Sequence, residues 1–410
     1  MQNFPHSPQS NPVQVLLAEW VIGAGPVVIQ GGGVALSKGR IARVFDNHAA
    51  ARRWARESSA QVHSLPSGIL APGWVNAHCH LELTELAGKI PVDQGFSGWI
   101  GHLTRAKREL DLVDYRQGVE LGAKRMLEGG TTSVGDIDSQ NVGGALDSPI
   151  RMRLYREALD AFHQHRSHKA LASVAEPLEL RPGLQEGLAP HASFTVSPGL
   201  MEGMAKLARK RSLPVTVHWS ETQEEVDWLL HGTGPFGDLL GDSPRRSGLD
   251  VLEGAGLLAP HLSLAHGNWP APGEEERLAR AGVSVVHCPG SHLFFGRGPF
   301  PLQRYLEAGV CLALGTDSQA SNECLDMGRE VALLRDSFPQ VDAGQAFRMA
   351  TEHGARALGW SDDVGRIEVG LLADLVHFEA EIQRSVDVLQ VLTRENLPAG
   401  RTWVGGSHVF

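Results

Sequence analysis

The sequence predicts an α/β fold: a (β/α)8 TIM-type barrel with a small composite β-sandwich domain formed by both termini. Three observations predict it. Eight short apolar runs in the middle of the chain alternate with amphipathic helical stretches. Strand-like segments bounded by turn residues sit at both ends of the chain. The side chains most apt to bind a metal close several of the central runs, where a barrel of parallel strands collects its chemistry.

At the N-terminal side, residues 26–45 read as a β-meander around Gly31-Gly32-Gly33. That triple glycine joins strand to strand rather than strand to helix, so it is a turn and not a phosphate loop. Residues 373–378 and 401–404 supply further strands at the other end. The expected division is 1–72 and 365–410 for the two parts of the small β domain and 73–364 for the barrel. Within the barrel, the candidate strands are residues 74–77, 131–135, 152–156, 193–196, 215–218, 262–265, 283–287 and 311–315. Helical periodicity marks 200–210, 224–230, 274–281 and 302–308 between them. Eight such units suit a barrel of ordinary size. No GxGxxG follows the first strand, which argues against a dinucleotide fold.

Composition narrows the function. The chain has 410 residues, 42% of them apolar, and a formal net charge of −10, which argues against a nucleic-acid groove. No apolar stretch approaches the roughly 20 residues needed to cross a bilayer. The first 11 residues lack the basic and apolar regions of a signal peptide. Cys79, Cys288, Cys311 and Cys324 form no CxxC pair and read as reduced thiols of a cytoplasmic protein.

Strand alternation places His78 and His80 on one side and Cys79 on the other. Two imidazoles fixed in this way can grip one divalent ion. A third histidine and a carboxylate from other strand ends would complete its protein ligands with room left for water. His218, His266 and Asp317 close the fifth, sixth and eighth candidate runs. The second histidine cluster, His163 to His168, lies in a polar stretch and reads as a solvated helix face. Glu274-Glu275-Glu276-Arg277 reads as a charge run on an outer helix.

Six segments in order carry a resemblance that spans nearly the whole chain. They are Pro72-Gly73-Trp74-Val75-Asn76-Ala77-His78-Cys79-His80, Gly129-Gly130-Thr131-Thr132, Pro190-His191-Ala192, His218-Trp219-Ser220-Glu221-Thr222, Ala265-His266-Gly267 and Leu314-Gly315-Thr316-Asp317-Ser318. With them the chain resembles the cytosine-deaminase-like branch of the amidohydrolase superfamily. The resemblance implies one divalent transition metal held by His78, His80, His218 and Asp317, with zinc expected and iron also compatible. Two-metal members carry a bridging lysine at the end of strand four, and the candidate fourth strand has none. The other zinc deaminase class needs HxE with PCxxC, whereas this chain offers only Cys288-Pro289. His80-Leu81-Glu82-Leu83 and the short loop after it look most like the aminodeoxyfutalosine deaminases of the alternative menaquinone pathway. S-adenosylhomocysteine, methylthioadenosine and adenosine-type deaminases are close in pattern.

The implied chemistry is hydrolytic deamination of a small-molecule adenine-type nucleoside, best matched by 6-amino-6-deoxyfutalosine, with release of ammonia. Asp317 would take a proton from the attacking water, Glu221 would protonate a ring nitrogen and then the departing amine, and His266 would orient the nucleophile. Glu82, His191 and Glu221 are the candidate substrate contacts. The blander alternatives are a solvated or helix-capping Glu221, a structural His266, a packed His191 and a Glu82 paired with an arginine. The stretch from Gly95 to Ile100 reads as a pocket loop, and Arg105 and Arg108 either reach the substrate or face solvent. A chlorohydrolase on the same scaffold is the rival enzyme, and a metal-stabilised scaffold without activity the rival from another class. No nucleic-acid or membrane partner is expected. Family members often form dimers, so the resemblance implies a homodimer.

Overall fold

The computed structural model describes residues 12–92 and 95–410, so the first 11 residues, expected to lack signal-peptide features, lie outside the described residues. Eight parallel strands follow one another in sequence order: β1 (Trp74–Cys79), β2 (Thr131–Asp138), β3 (Arg151–Ala158), β4 (Leu184–Pro190), β5 (Val215–Trp219), β6 (Leu262–His266), β7 (Ser284–His287) and β8 (Cys311–Leu314). The seam between β8 and β1 closes just past the strand ends. Thr316 N and Asp317 N both donate to His78 O at 3.1 Å, and Asn76 Nδ2 donates to Thr316 Oγ1 at 2.7 Å. Gly315 makes this approach possible, because a Cβ there would lie 2.8 Å from His78 O and 2.9 Å from His78 N.

Apolar residues fill the barrel and its jacket. Val75, Ile137, Tyr155 and Ala189 meet Leu358 and Trp360 in one buried cluster. Outside β4 to β8, Leu200, Met204, Leu278 and Tyr305 belong to the largest core, supplied by the helices Pro198–Arg211, Glu274–Ala281 and Leu302–Ala308. Burying each such side chain stabilises by about 1.5–3 kcal/mol, so this jacket holds the strand ends in register.

The termini build two further sheets. A six-stranded sheet runs Ser407–His408, Ala399–Val404, Leu375–Glu379, Gly68–Pro72, Trp20–Ile22, Val28–Gln30, and so interleaves strands from both ends of the chain. A four-stranded sheet runs Arg40–Phe45, Gly33–Ser37, Gln14–Leu17, Gln61–Ser64. The expected meander is therefore split. Val28–Gln30 pairs with Trp20–Ile22 in one sheet, while Gly33–Ser37 pairs with Arg40–Phe45 in the other. The triple glycine carries the chain across, turning at Gly31 with φ +63°.

Two local expectations need correction. The fourth strand is Leu184–Pro190, not residues 193–196, which form a turn in which Thr195 N and Val196 N donate to Ala192 O. Gln185 and Glu186 hide the true strand by interrupting its apolar pattern; both are buried, and Glu186 is satisfied by Arg156 and Arg211. That strand also lacks a lysine. Residues 95–100 are not loop but the first turns of the helix Gly95–Lys107, where Phe96 and Trp99 pack on Phe295 despite three glycines. The glutamate run opens a jacket helix, as expected, and its first two members are buried: Glu274 accepts from Ser247 Oγ at 2.7 Å and Glu275 pairs with Arg304. The second histidine cluster is largely exposed, as expected.

Candidate active site

The open end of the barrel gathers the residues that close its strands. Ring centroids of His80, His218 and His266 lie 5.2, 5.0 and 5.3 Å from that of His78. His80 Nε2 stands 3.1 Å from His218 Nε2, and Asp317 Oδ1 stands 3.8 Å from His78 Nε2 and 3.7 Å from His80 Nε2. Two ligands about 2 Å from a tetrahedral ion sit roughly 3.3 Å apart, so these separations suit a shared cation. The donor atoms fall into two overlapping trios, His78/His80/His218 and His78/His266/Asp317, each within 4.8 Å. His266 is thus as near the centre as the residues the sequence nominated for the metal.

Local backbone aims these groups. Ser220, His266 and Asp317 all take positive φ (51°, 72° and 59°) as the chain leaves β5, β6 and β8. Non-glycine residues in this region cost on the order of 1–3 kcal/mol, a strain that clusters at functional sites. His218 Nδ1 lies 2.7 Å from the carbonyl of His191, which leaves Nε2 free to face the centre. Both ring nitrogens of His78 are buried with no hydrogen-bond partner among the described residues. Such orphans are rare in native interiors, and a bound cation would satisfy one of them.

Electrostatics favour the metal-binding protonation states. Burial pushes His78 down to about 3, and burial likewise holds His80 and His266 well below the usual imidazole range. Neutral imidazole is the form that ligates. Burial pushes the Asp317 carboxyl up, but His266, His78 and the hydroxyl of Ser291 more than offset it and hold it low. Those imidazoles are neutral near pH 7, so the lasting support comes from hydroxyls. Ser291 Oγ and Ser321 Oγ donate to Asp317 Oδ2 at 2.8 and 2.9 Å, leaving Oδ1 toward the histidines.

Glu221 stands beside this cluster. Its Oε2 lies 3.7 Å from His266 Nε2, and Arg297 Nη2 donates to its Oε1 at 2.7 Å. Burial raises its carboxyl, against the opposing pull of Arg297. The turn carrying it is fixed from below: Glu225 accepts from Ser220 N and Glu221 N at 3.0 and 2.8 Å, and Asn268 Nδ2 donates to Glu221 O. Glu221 is therefore neither solvated nor a helix cap.

The remaining nominated residues are placed less simply. His191 adjoins His218 with ring centroids 4.9 Å apart and has Nδ1 2.6 Å from Thr195 Oγ1. Glu82 is buried and pairs with a lysine rather than an arginine: Lys107 Nζ lies 3.3 Å away, and Ser139 donates through N and Oγ. Arg105 and Arg108 are exposed, and it is Lys107 between them that turns inward. Sequence reasoning missed Lys107, Ser291, Arg297, Ser321 and Glu157. Most sit on loops or helices without period; Glu157 alone had a signal, because the two-residue alternation of β3 puts it on the face of Tyr155, near the end of the strand.

Comparisons with known proteins agree with this architecture. The family model described as "Amidohydrolase family" matches residues 69–399. A 5-methylthioadenosine/S-adenosylhomocysteine deaminase of Halobacterium salinarum is 36% identical, covering 76% of this chain and 74% of that protein. One from Thermococcus kodakarensis is 32% identical over 78% and 76%. An adenosine deaminase of Xanthomonas campestris, solved with bound zinc, superposes with a TM-score of 0.81 at 28% identity, covering 98% and 93%. The aminofutalosine deaminase of Helicobacter pylori gives 0.86 over 97% and 100%, and at 23% identity this likeness shows the fold alone. With that match across most of its length and relatives above 30% identity, the chain belongs to the amidohydrolase family.

Proposed function

We propose that the protein is a metal-dependent aminohydrolase that deaminates an adenine-type nucleoside. The observation that carries this reading is a buried carboxylate, Glu221, pinned by Arg297 within 3.7 Å of His266 at the edge of the histidine and aspartate cluster. Loss of ammonia needs a proton donor at the leaving group, whereas departure of chloride does not. Glu221 therefore favours deamination over the chlorohydrolase reading.

His78, His80, His218 and Asp317 would hold one divalent ion, zinc first and iron second, and the paired imidazoles and the orphaned nitrogens of His78 fit that role. Such an ion supplies a nucleophile by lowering the pKa of its bound water to about 7. The chain's own groups do the rest. Asp317, ionised and held through Oδ2, offers Oδ1 as a proton acceptor. Glu221 gives its proton to a ring nitrogen and carries a second one from the hydroxyl of the tetrahedral carbon to the departing amine. It is reprotonated by the one that Asp317 took from the water, and Arg297 stabilises it each time it returns to the carboxylate. His266 steadies charge that develops on the attacked carbon's oxygen. His191 takes the base or sugar as a neutral contact, since burial keeps its ring well below the usual range.

On substrate, the short segment after His80 favours 6-amino-6-deoxyfutalosine, while the curated relatives support 5-methylthioadenosine or S-adenosylhomocysteine. We place the methylthioadenosine group alongside the futalosine derivative rather than behind it. An ammonia-release screen over aminodeoxyfutalosine, methylthioadenosine, S-adenosylhomocysteine, adenosine and cytosine decides among them. Release from an adenine nucleoside by protein holding close to one transition ion per chain is the expected result. Release from cytosine alone, or from none of the five, would overturn the reading.

A further inference from the structure

We propose that Glu157, not Glu82, is the carboxylate that receives the hydroxyl groups of the substrate's sugar, and that the pocket thereby selects nucleosides with an intact cis-diol. This deepens the function proposed above and rests on it.

β3 alternates its side chains between barrel interior and jacket. Tyr155 packs inside with Val75 and Ala189, whereas Arg156 turns outward to the carbonyls of Ser173 and Glu176. Glu157 is the next inward residue and the last before the mouth. One of its carboxylate oxygens lies within 4.8 Å of ring nitrogens of both His191 and His218, so it borders the catalytic cluster.

The two acids on this wall differ in what they already hold. Glu82 is saturated by Ser139 N, Ser139 Oγ and the Lys107 ammonium, which also donates to Ser139 Oγ at 2.9 Å. Glu157 Oε1 is buried and has no hydrogen-bond donor among the described residues. A buried acceptor without a partner is costly, and a ligand that brings O–H donors recovers that cost on binding. Adjacent sugar hydroxyls can donate to one carboxylate, and a phosphate or carboxylate tail would be repelled from it. The nearby Lys107 keeps the wall from carrying two uncompensated negative charges.

The test measures kcat/KM for adenosine and 2′,3′-dideoxyadenosine in the metal-loaded wild type and in Glu157→Gln, with Tm recorded for both. Wild type should prefer the ribonucleoside by roughly 10- to 100-fold, the range for hydrogen bonds to a charged group. Glu157→Gln should shrink that preference to a few-fold, the loss falling on the ribonucleoside. Equal use of both substrates by wild type, or an undiminished preference in Glu157→Gln, overturns the proposal. Equilibrium binding of inosine against 2′,3′-dideoxyinosine reads the same preference without turnover. If no nucleoside is deaminated but a diol preference dependent on Glu157 persists in binding, the functional reading fails and the subsite stands. Two metal ions per wild-type chain falling to one in Glu157→Gln would instead make Glu157, His191 and His218 a second cation site and overturn the sugar assignment.

Discussion

Replacing Ser291 and Ser321 together by alanine should cripple the site without touching any atom that faces the substrate. The two hydroxyls are the donors on Asp317 Oδ2, at 2.8 and 2.9 Å, and the carboxylate is 6% exposed, so water does not take their place freely. A hydrogen bond to a charged group contributes about 1.5–3 kcal/mol, and losing such orientation behind a ligand typically costs 10–100-fold in metal affinity or activity. The double variant should therefore bind zinc at least tenfold more weakly in competition with a chelator. Its Asp317 carboxyl should also become harder to ionise. Activity requires the ionised form, so the acid limb of kcat/KM must move to higher pH, by about one unit for each 1.4 kcal/mol lost. Thermal unfolding of the metal-free protein controls for a folding defect. Wild-type zinc affinity together with an unmoved acid limb would refute the claim that these serines set the state of Asp317.

Three further outcomes follow from the same geometry. Glu221→Gln should keep its metal yet lose about 10²- to 10⁴-fold in turnover, and unimpaired deamination would remove Glu221 from the chemistry. Gly315→Ala places a Cβ 2.8–2.9 Å from backbone atoms of His78, so overpacking should cost roughly 1–3 kcal/mol and lower metal content, checked by Tm and elemental analysis. Burial pushes Glu225 up to about 8 against its backbone donors. Because the folded value is raised, the folded chain retains a proton that the unfolded chain gives up above about pH 4.5. The stabilisation is complete below that pH and is lost as pH rises to about 8, on the order of 3–5 kcal/mol in all. Glu225→Gln should flatten the slope of urea stability between pH 5 and 8, and an unchanged slope would mean that Glu225 is ionised throughout.

The barrel and much of its mouth are legible in the sequence because strand chemistry is local. His78, His80, His218, His266 and Asp317 each end an apolar run, and a two-residue period assigns their faces. The same rule, applied to Leu154-Tyr155-Arg156-Glu157, would have found Glu157. It failed at β4, where Gln185 and Glu186 are tolerated only because Trp360, Arg156 and Arg211 reach them from distant segments. Lys107 and Arg297 were hidden for a related reason. Lys107 sits in a basic stretch whose neighbours Arg105 and Arg108 face solvent. Arg297 is selected by its stack over Phe295, 4.5 Å from the ring centroid, and by its ion pair, neither of which has a sequence period. The split meander shows the same limit: strand propensity is local, whereas the choice of pairing partner is not.

The two carboxylates that face the cluster have been given opposite environments, and this supports the division of labour proposed for them. Asp317 has hydroxyl donors on one oxygen and is held low; Glu221 has burial against it and is raised, with Arg297 restraining the rise. Acid and base roles are generally separated in this way, by neighbours that push two similar groups apart. A carboxyl held low remains anionic and suits a position next to a cation, while a raised one can carry a proton near neutral pH. If the two roles were exchanged, Asp317 would have to rest protonated before each turnover, against the serine donors that favour its charged form. Glu221 would have to stay charged throughout in a buried position, against the burial that raises it and with Arg297 at 2.7 Å as its guanidinium partner. The arrangement of Ser291, Ser321 and Arg297 makes the first assignment the cheaper one at every step of a turnover.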